Sequence, residues 1–109
     1  MKRLKIKNNY INVIEMNTFL KKLNGLMWKK EPIKDCYIFK NTNGIHTFFM
    51  FQKIDVILTD KNFKVLKTYE KLSPWKVILP KKGVYYTIEA PLNISSLINI
   101  DEVLTFEEN

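Results

Sequence analysis

Two carboxylates and one imidazole stand where an acid–base reaction could use them. Asp55 and Glu89 are each flanked by apolar residues, and His46 lies near the start of the run IHTFFMFQKIDVILTD, residues 45–60. General acid–base catalysis needs two titratable groups within hydrogen-bond reach of a common point. Asp55 could form such a pair with Glu89 across a sheet, or with His46. An enzyme that uses Asp55 with either partner is therefore one candidate function.

Asp55 also has a structural interpretation. Gln52 and Lys53 suit a tight hairpin turn poorly, because such turns require positive φ and favour Asn-Gly or Gly. We therefore expect residues 46–59 to form one extended segment that is bent or bulged. Asp55 would then accept hydrogen bonds from backbone N–H groups that the deformation leaves unpaired. On this hypothesis Asp55 stabilises the fold and Asp55→Asn lowers its stability.

The composition argues against several other kinds of site. With one His and one Cys, the chain cannot build a tetrahedral zinc site of the usual ligands unless carboxylates supply the rest. Cys36 stands beside Tyr37 and Ile38 and is predicted to be a small apolar filler, not a nucleophile. The sequence has neither a Gly-rich phosphate loop nor an activated Ser motif. We therefore predict no cofactor and no metal site, and an enzymatic role is disfavoured.

The formal net charge of +7 is distributed unevenly along the chain. All Lys and Arg residues lie within residues 1–82, whereas the only charged residues in 83–109 are acidic. Every Lys or Arg residue except Arg3 is a lysine. Nucleic-acid binding favours clustered cations, but these lysines are dispersed and also suit a solvated surface with protected strand edges. Nucleic-acid binding is therefore predicted to be at most weak and non-specific.

No segment of the sequence is predicted to span a membrane or to direct export. The N-terminus interrupts its apolar residues with Lys and Asn, whereas a secretory signal needs an apolar stretch of about seven residues or more. The longest uncharged run, residues 41–52, is too short to span a bilayer. We predict a cytoplasmic protein with a single domain, residues 1–109.

Hydrophobic periodicity predicts the elements that must position these residues. Alternation around Asn8-Asn9 predicts a hairpin of residues 3–7 and 10–15. Apolar residues at helical spacing predict a main helix over about 17–27, and residues 93–99 suggest a second short helix. Period-two segments predict further strands at 36–39, 46–51, 54–60, 63–70, 76–79, 84–90 and 102–107. The predicted fold is α+β and strand-dominated, with a small curved antiparallel or barrel-like sheet and one main helix packed on it.

Short motifs along the chain resemble the domain-of-unknown-function 192 family. In order they are GLM (25–27), HTFFM (46–50) with IDV four residues later, LSPW (72–75) and IEAP (88–91). The resemblance implies a compact strand-rich domain, often exported in other members, and implies no activity. The chain departs from the family at Phe51, Gln52 and Lys53, at Leu92-Asn93 and at Ile100, which indicates a divergent member.

The polar and amphipathic residues at matching motif positions are the candidate site residues: His46, Thr47, Asp55, Asp60, Trp75 and Glu89. Trp75, which follows Pro74, is interpreted as a core or rim anchor and not as a stacking platform. Three functions stay open: a non-catalytic accessory or binding module for a protein or small ligand, a small enzyme that uses Asp55, and a weak nucleic-acid binder. The first is favoured because the sequence carries no further catalytic motif and its lysines are dispersed.

Overall fold

The computed structural model describes residues 2–16, 30–47 and 51–108. These residues form nine strands and one 3₁₀ turn. In chain order the strands are β1 (Lys2–Ile6), β2 (Asn9–Glu15), β3 (Cys36–Lys40), β4 (Ile45–His46), β5 (Ile54–Thr59), β6 (Val65–Leu72), β7 (Val77–Ile78), β8 (Tyr86–Ala90) and β9 (Thr105–Glu108). The 3₁₀ turn, Ser95–Leu97, lies between β8 and β9.

Seven strands form one curved, barrel-like sheet in the order β6–β5–β8–β3–β2–β1–β9, and β4 pairs with β7 in a separate two-stranded sheet. All neighbours in the large sheet are antiparallel except β2 and β3, which are parallel. The two edges of the large sheet approach each other just before β6 and β9, where Lys64 forms an isolated bridge with Val103. The sheet therefore curls back towards its own edge.

The predicted α+β class is wrong. The ranges that the structure describes contain no α-helix. A 3₁₀ turn of three residues occupies the place of the short helix predicted at 93–99. Ile98 leaves that turn in extended conformation, with φ −120° and ψ 136°, so the helix cannot propagate. The predicted main helix over 17–27 lies outside the described residues. In the described ranges no helix is long and apolar enough to cross a membrane.

The antiparallel expectation is also wrong, because the large sheet is mixed. The chain leaves β2 at Glu15 and returns at Cys36 in the same direction, and a parallel pair needs a crossover of about this length. The predicted N-terminal hairpin is confirmed, with Ile6 opposite Asn9, although its turn comes one residue earlier than expected. The predicted single segment over 46–59 is wrong, since β4 and β5 belong to different sheets.

The two faces of the large sheet pack into two separate cores. We call the first the interior core because it draws side chains from all seven strands: Leu4, Val13, Cys36, Ile38, Ile57, Val65, Ile88 and the partly buried Phe106. The second, the outer core, lies on the opposite face and includes Tyr37, Phe39, Val56, Leu58 and Ile78. Successive residues of a strand point to opposite faces, so β5, which is buried along its whole length, contributes to both cores.

Candidate functional site

Asp55 is fully buried at one end of the interior core, and hydrogen bonds engage both of its oxygens. Oδ1 accepts the backbone N–H of Lys71 at 3.0 Å. Oδ2 accepts both the backbone N–H of Ser95 at 2.9 Å and the Ser95 hydroxyl at 2.7 Å. Hydrogen bonds to a charged acceptor are roughly twice as strong as those between neutral groups. Asp55 therefore ties β6 and the 3₁₀ turn to β5, and we call this region the closed end of the interior.

The Lys71 N–H reaches Asp55 because β6 bulges opposite it. The β5–β6 register shifts between Ile54, which faces Leu72, and Val56, which faces Tyr69. Lys71 lies within the bulge with φ 50°, and a bulge of this kind leaves one residue unpaired in the ladder. Asp55 accepts the N–H that this bulge releases. Asp55 thus accepts a backbone N–H at a strand deformation, but this deformation lies in the partner strand β6 and not, as expected, in the segment of Asp55 itself.

Asp55 and Glu89 lie on opposite faces of the sheet. In the β5–β8 ladder Asp55 faces Ala90, a member of the interior core. Glu89 faces Val56 on one side and Tyr37 on the other, and both of these belong to the outer core. Because neighbouring residues of a strand alternate between faces, the predicted Asp55–Glu89 pair does not form.

Glu89 is buried without the hydrogen bonds that Asp55 has. It is 7% exposed, and its buried Oε2 has no hydrogen-bond partner among the residues that the structure describes. Burial raises the pKa of the Glu89 carboxyl to about 7 from its ordinary value of 4.5. Desolvation penalises the charged form, so an uncompensated buried carboxyl is more easily held neutral.

His46, Thr47 and Trp75 come together on and beside the two-stranded sheet. His46 is exposed on β4 opposite Val77, whereas Thr47 is 1% exposed. The Thr47 hydroxyl accepts the Lys76 N–H at 2.8 Å and donates to the Ser73 carbonyl at 2.8 Å. Thr47 therefore fixes the turn that carries Trp75. His46 is exposed on the two-stranded sheet, whereas Asp55 is buried in the large sheet with its oxygens bonded to Lys71 and Ser95.

Trp75 is not a core residue. It is 57% exposed, has φ 64° and donates its backbone N–H to the Thr47 carbonyl at 3.0 Å. Of the two roles predicted for it, the rim position fits this exposure. A bulky side chain at positive φ is uncommon and persists where surrounding bonds enforce it.

Asp60 and Cys36 have structural roles, Asp60 in a turn and Cys36 in the core. Asp60 Oδ1 accepts the backbone N–H groups of Asn62 at 2.8 Å and Lys64 at 3.0 Å, which closes the β5–β6 turn. Cys36 is fully buried, as predicted, and burial, followed by the nearby Asp35 charge, raises the pKa of its thiol to about 12. Within the described ranges, no group of three or more His, Cys, Asp or Glu residues could hold a metal ion.

The other end of the interior opens into a cleft that sequence reasoning missed. The volume of this cleft is about 350 Å³. We call it the mouth cleft, and it is lined by Lys2, Glu15, Ile38, Lys40, Phe63, Tyr86 and Phe106. The ends of β2, β3 and β9 and the starts of β1 and β8 meet at this end of the sheet.

Three half-buried aromatic rings form one side of the mouth cleft. Phe63 stacks on Tyr86 with ring centroids 4.1 Å apart and an interplanar angle of 15°. Phe106 lies against Phe63 at 4.6 Å and 60°. Phe63 has φ 63° in the turn that Asp60 closes, and its carbonyl accepts the Leu104 N–H at 3.0 Å. Asp60 therefore helps to place a ring of the cleft through the backbone.

Charged side chains form the rest of the rim. The Lys2 ammonium lies 3.2 Å from the Glu15 carboxylate, and both side chains are about half exposed, at 49% and 46%. Lys40, also exposed, lies opposite Tyr86 in the β3–β8 ladder. Charges in such surroundings attract an oppositely charged ligand but are weakened by salt.

One feature of the sequence points to this cleft, but it can be interpreted only once the strand pairing is known. Within their strands, Lys2, Glu15 and Lys40 have the same parity as Leu4, Val13 and Ile38, all members of the interior core. Where the interior-facing positions of a strand change from apolar to charged residues at its end, the interior is expected to open to solvent there. The strand order is needed to show that these ends meet.

The chain matches a family model and several curated relatives along most of its sequence. The DUF192 family model, described as Uncharacterized ACR, matches residues 2–103. The UPF0127 protein PH1112 of Pyrococcus horikoshii is 36% identical over 86 residues, which are 75% of this chain and 74% of that protein. The UPF0127 protein TK1120 of Thermococcus kodakarensis is 32% identical over 92 residues, which are 79% of this chain and 57% of that protein. The chain therefore spans little more than half of the second relative.

Two solved structures have the same fold. A protein of unknown function from Novosphingobium aromaticivorans superposes with a TM-score of 0.76 at 12% identity, covering 98% of this chain and 83% of that one. A protein from Sinorhizobium meliloti gives a TM-score of 0.75, also at 12% identity, over 97% and 90% of the two chains. At this identity the likeness concerns the fold alone. Because the family model spans almost all of its residues, the chain belongs to the DUF192 family.

Proposed function

We propose that the protein is a non-catalytic binding module that takes a small planar aromatic acid into the mouth cleft. The observation that carries the proposal is the meeting of three half-buried aromatic rings with two lysines in one cleft of about 350 Å³. Small-molecule sites have volumes of roughly 300–1,000 Å³, combine apolar walls with a few polar groups, and occur in the mouths of barrels.

The chemistry of the lining suggests the ligand class. Phe63, Tyr86 and Phe106 offer ring faces and edges that favour a planar aromatic ligand. Lys2 and Lys40 favour an anionic group at the rim, and Glu15 can accept a hydrogen bond from a ligand N–H or O–H. The cleft is small enough to select a one- or two-ring acid over a polymer.

The enzymatic alternative lacks this support. It requires Asp55 to act with Glu89 or His46, but Asp55 is engaged with Lys71 and Ser95 on the interior face. Glu89 lies on the other face of the sheet. A binding role needs no such pair.

A ligand panel tests the proposal. Benzoate and indole-3-acetate combine a ring with a charge, whereas cyclohexanecarboxylate lacks the aromatic ring and benzamide lacks the charge. We expect the two aromatic acids to bind and to shift the amide NMR signals of residues at the mouth cleft. Shifts centred elsewhere, or equal binding of all four compounds, would contradict the proposal. Salt-sensitive binding of single-stranded DNA with no binding of the acids would favour the nucleic-acid alternative.

Matched variants locate the binding site. Phe63→Asn removes a ring but keeps a residue that tolerates positive φ, and its control is Phe51→Asn, at an exposed position outside the cleft. Lys40→Gln removes a rim charge, and its control is Lys67→Gln, an exposed position on β6. We expect each cleft variant to weaken benzoate binding about tenfold, equivalent to about 1.4 kcal/mol, and each control to leave it unchanged.

A further inference from the structure

An exposed apolar row runs along the two-stranded sheet, and none of its residues lines the mouth cleft. It consists of Trp75, Val77 and Leu79, which are 57%, 57% and 73% exposed. Between them Ile78 is only 5% exposed and packs into the outer core. From Val77 to Leu79 this alternation is that of a strand with one face buried, except that the solvent face carries apolar side chains; Trp75 precedes the strand, and Lys76 between Trp75 and Val77 is also exposed. We call these three residues the apolar row.

The start of the apolar row is held in an unfavourable backbone conformation. Trp75 has φ 64°, a region that bulky residues rarely occupy. The buried Thr47 enforces this geometry through its bonds to Ser73, Trp75 and Lys76. Strain of this kind clusters at functional sites. A large ring kept in solvent by a strained, well-bonded turn suggests a role in contact with another surface.

Lysines surround the apolar row along the sequence, and the nearest acidic residues along the chain are Glu70 and Glu89. Lys71, Lys76, Lys81 and Lys82 are exposed within or beside it. Residues 71–88 contain no Asp or Glu. The region therefore combines apolar side chains with cations, and its charge is complementary to an anionic surface.

We propose that the apolar row and its four lysines form a peripheral docking surface for an anionic lipid bilayer. Trp favours the headgroup depth of a membrane, since it has an apolar body and a polar N–H. Val77 and Leu79 would enter the upper acyl region while the lysines meet the anionic headgroups. A protein partner fits less well, because a stable interface needs roughly 800 Å² from each side, far more than three side chains offer.

Vesicle flotation tests this surface. Wild-type protein is mixed with phosphatidylcholine vesicles that either contain or lack phosphatidylglycerol. We expect flotation with the anionic vesicles only. Trp75→Asn, which suits positive φ, and Leu79→Ser should each reduce partitioning about tenfold. Val77→Ser should also reduce it, whereas Val103→Ser, at a valine of matching exposure of 58%, should leave it unchanged.

Further outcomes decide between occupants. Lys81→Gln combined with Lys82→Gln should weaken flotation without altering the thermal melt, which keeps the test valid if a row variant folds poorly. The proposal is overturned if anionic vesicles do not bind, or if the row variants bind as well as Val103→Ser. If vesicles do not bind, two outcomes would make this a protein-docking surface instead. One is polyglutamate binding that requires the apolar row, and the other is a dimer in sedimentation that requires it.

Discussion

Two buried carboxylates on adjacent strands of one sheet have opposite relations to their surroundings. Asp55, on the interior face, accepts three hydrogen bonds from Lys71 and Ser95. Glu89, on the outer face, has no hydrogen-bond partner for its buried Oε2 within the described ranges, and its pKa is raised to about 7 by burial. The interior face uses its acid to hold the fold together, whereas the outer face tolerates an acid that favours the neutral form. Both carboxylates are flanked by apolar residues in the sequence, so the sequence alone does not distinguish their surroundings.

Removing the Asp55 carboxylate should have the largest effect on stability. In Asp55→Ala the N–H and hydroxyl of Ser95 lose their acceptor while buried, and the Lys71 N–H loses its acceptor while partly buried. Each unsatisfied buried group costs about 1–3 kcal/mol, so we expect a loss of about 4 kcal/mol in the free energy of unfolding. For Asp55→Asn we expect about 2 kcal/mol, since a neutral amide oxygen is a weaker acceptor. Urea denaturation measures both values.

The control for Asp55→Asn is Asp101→Asn. Asp101 is 75% exposed and pairs loosely with Lys64 at 3.7 Å, so its substitution should change stability by about 0.5 kcal/mol or less. If Asp55→Asn melted like Asp101→Asn, Asp55 would have no structural role of the kind argued above. An unchanged melt with lost ligand turnover would instead make Asp55 catalytic.

Glu89→Gln should raise the free energy of unfolding, whereas Asp55→Asn should lower it, and the gain should depend on pH. The folded-state pKa of about 7 lies above the ordinary value of 4.5, so the folded protein binds more protons between these values. The stability that Glu89 contributes is therefore complete below pH 4.5 and is lost as the pH rises to about 7. Gln cannot ionise, so at pH 8 we expect the variant to be more stable than wild type by about 3 kcal/mol.

The difference between wild type and Glu89→Gln is the quantity to measure, because other acids titrate in the same range. Urea denaturation between pH 4 and pH 8 should show this difference growing through the window and levelling off above it. A constant difference would mean that Glu89 ionises in the folded protein as easily as in the unfolded chain, and that the contrast with Asp55 is smaller than its geometry suggests.

The sequence predicted local features better than pairing. Alternation predicted the β1–β2 hairpin. Asp55 was correctly expected to accept backbone hydrogen bonds, but the deformation inferred from Gln52-Lys53 for its own segment was wrong, because the bulge is in β6. Parity within one strand also separates interior from outer residues. It cannot show that Glu89 lies between Tyr37 and Val56, because these contacts join distant parts of the chain.

The same limit explains the wrong antiparallel expectation and the missed cleft. The parallel β2–β3 pair depends on the path of the chain between Glu15 and Cys36, which local periodicity does not specify. The mouth cleft gathers residues from six separate segments, and no motif joins them. Trp75 was found as a motif residue, but its exposure follows from the turn that Thr47 fixes.

Glu15→Gln at the mouth cleft should have the smallest effect on stability and so completes the comparison of carboxylates. Glu15 pairs with Lys2 at 3.2 Å, but both side chains are about half exposed. Exposed ion pairs contribute about 0–1 kcal/mol, so we expect a loss of about 0.5 kcal/mol or less. The effect on the ligand should be more informative, because the substitution removes a negative charge and releases Lys2 to meet an aromatic acid. Benzoate should bind about threefold more tightly at low salt, and this gain should shrink as salt screens the rim. Titrations of wild type and Glu15→Gln at two salt concentrations measure it. Unchanged affinity at low salt would place the anionic group of the ligand away from Lys2, and weaker affinity would mean that Glu15 itself binds the ligand.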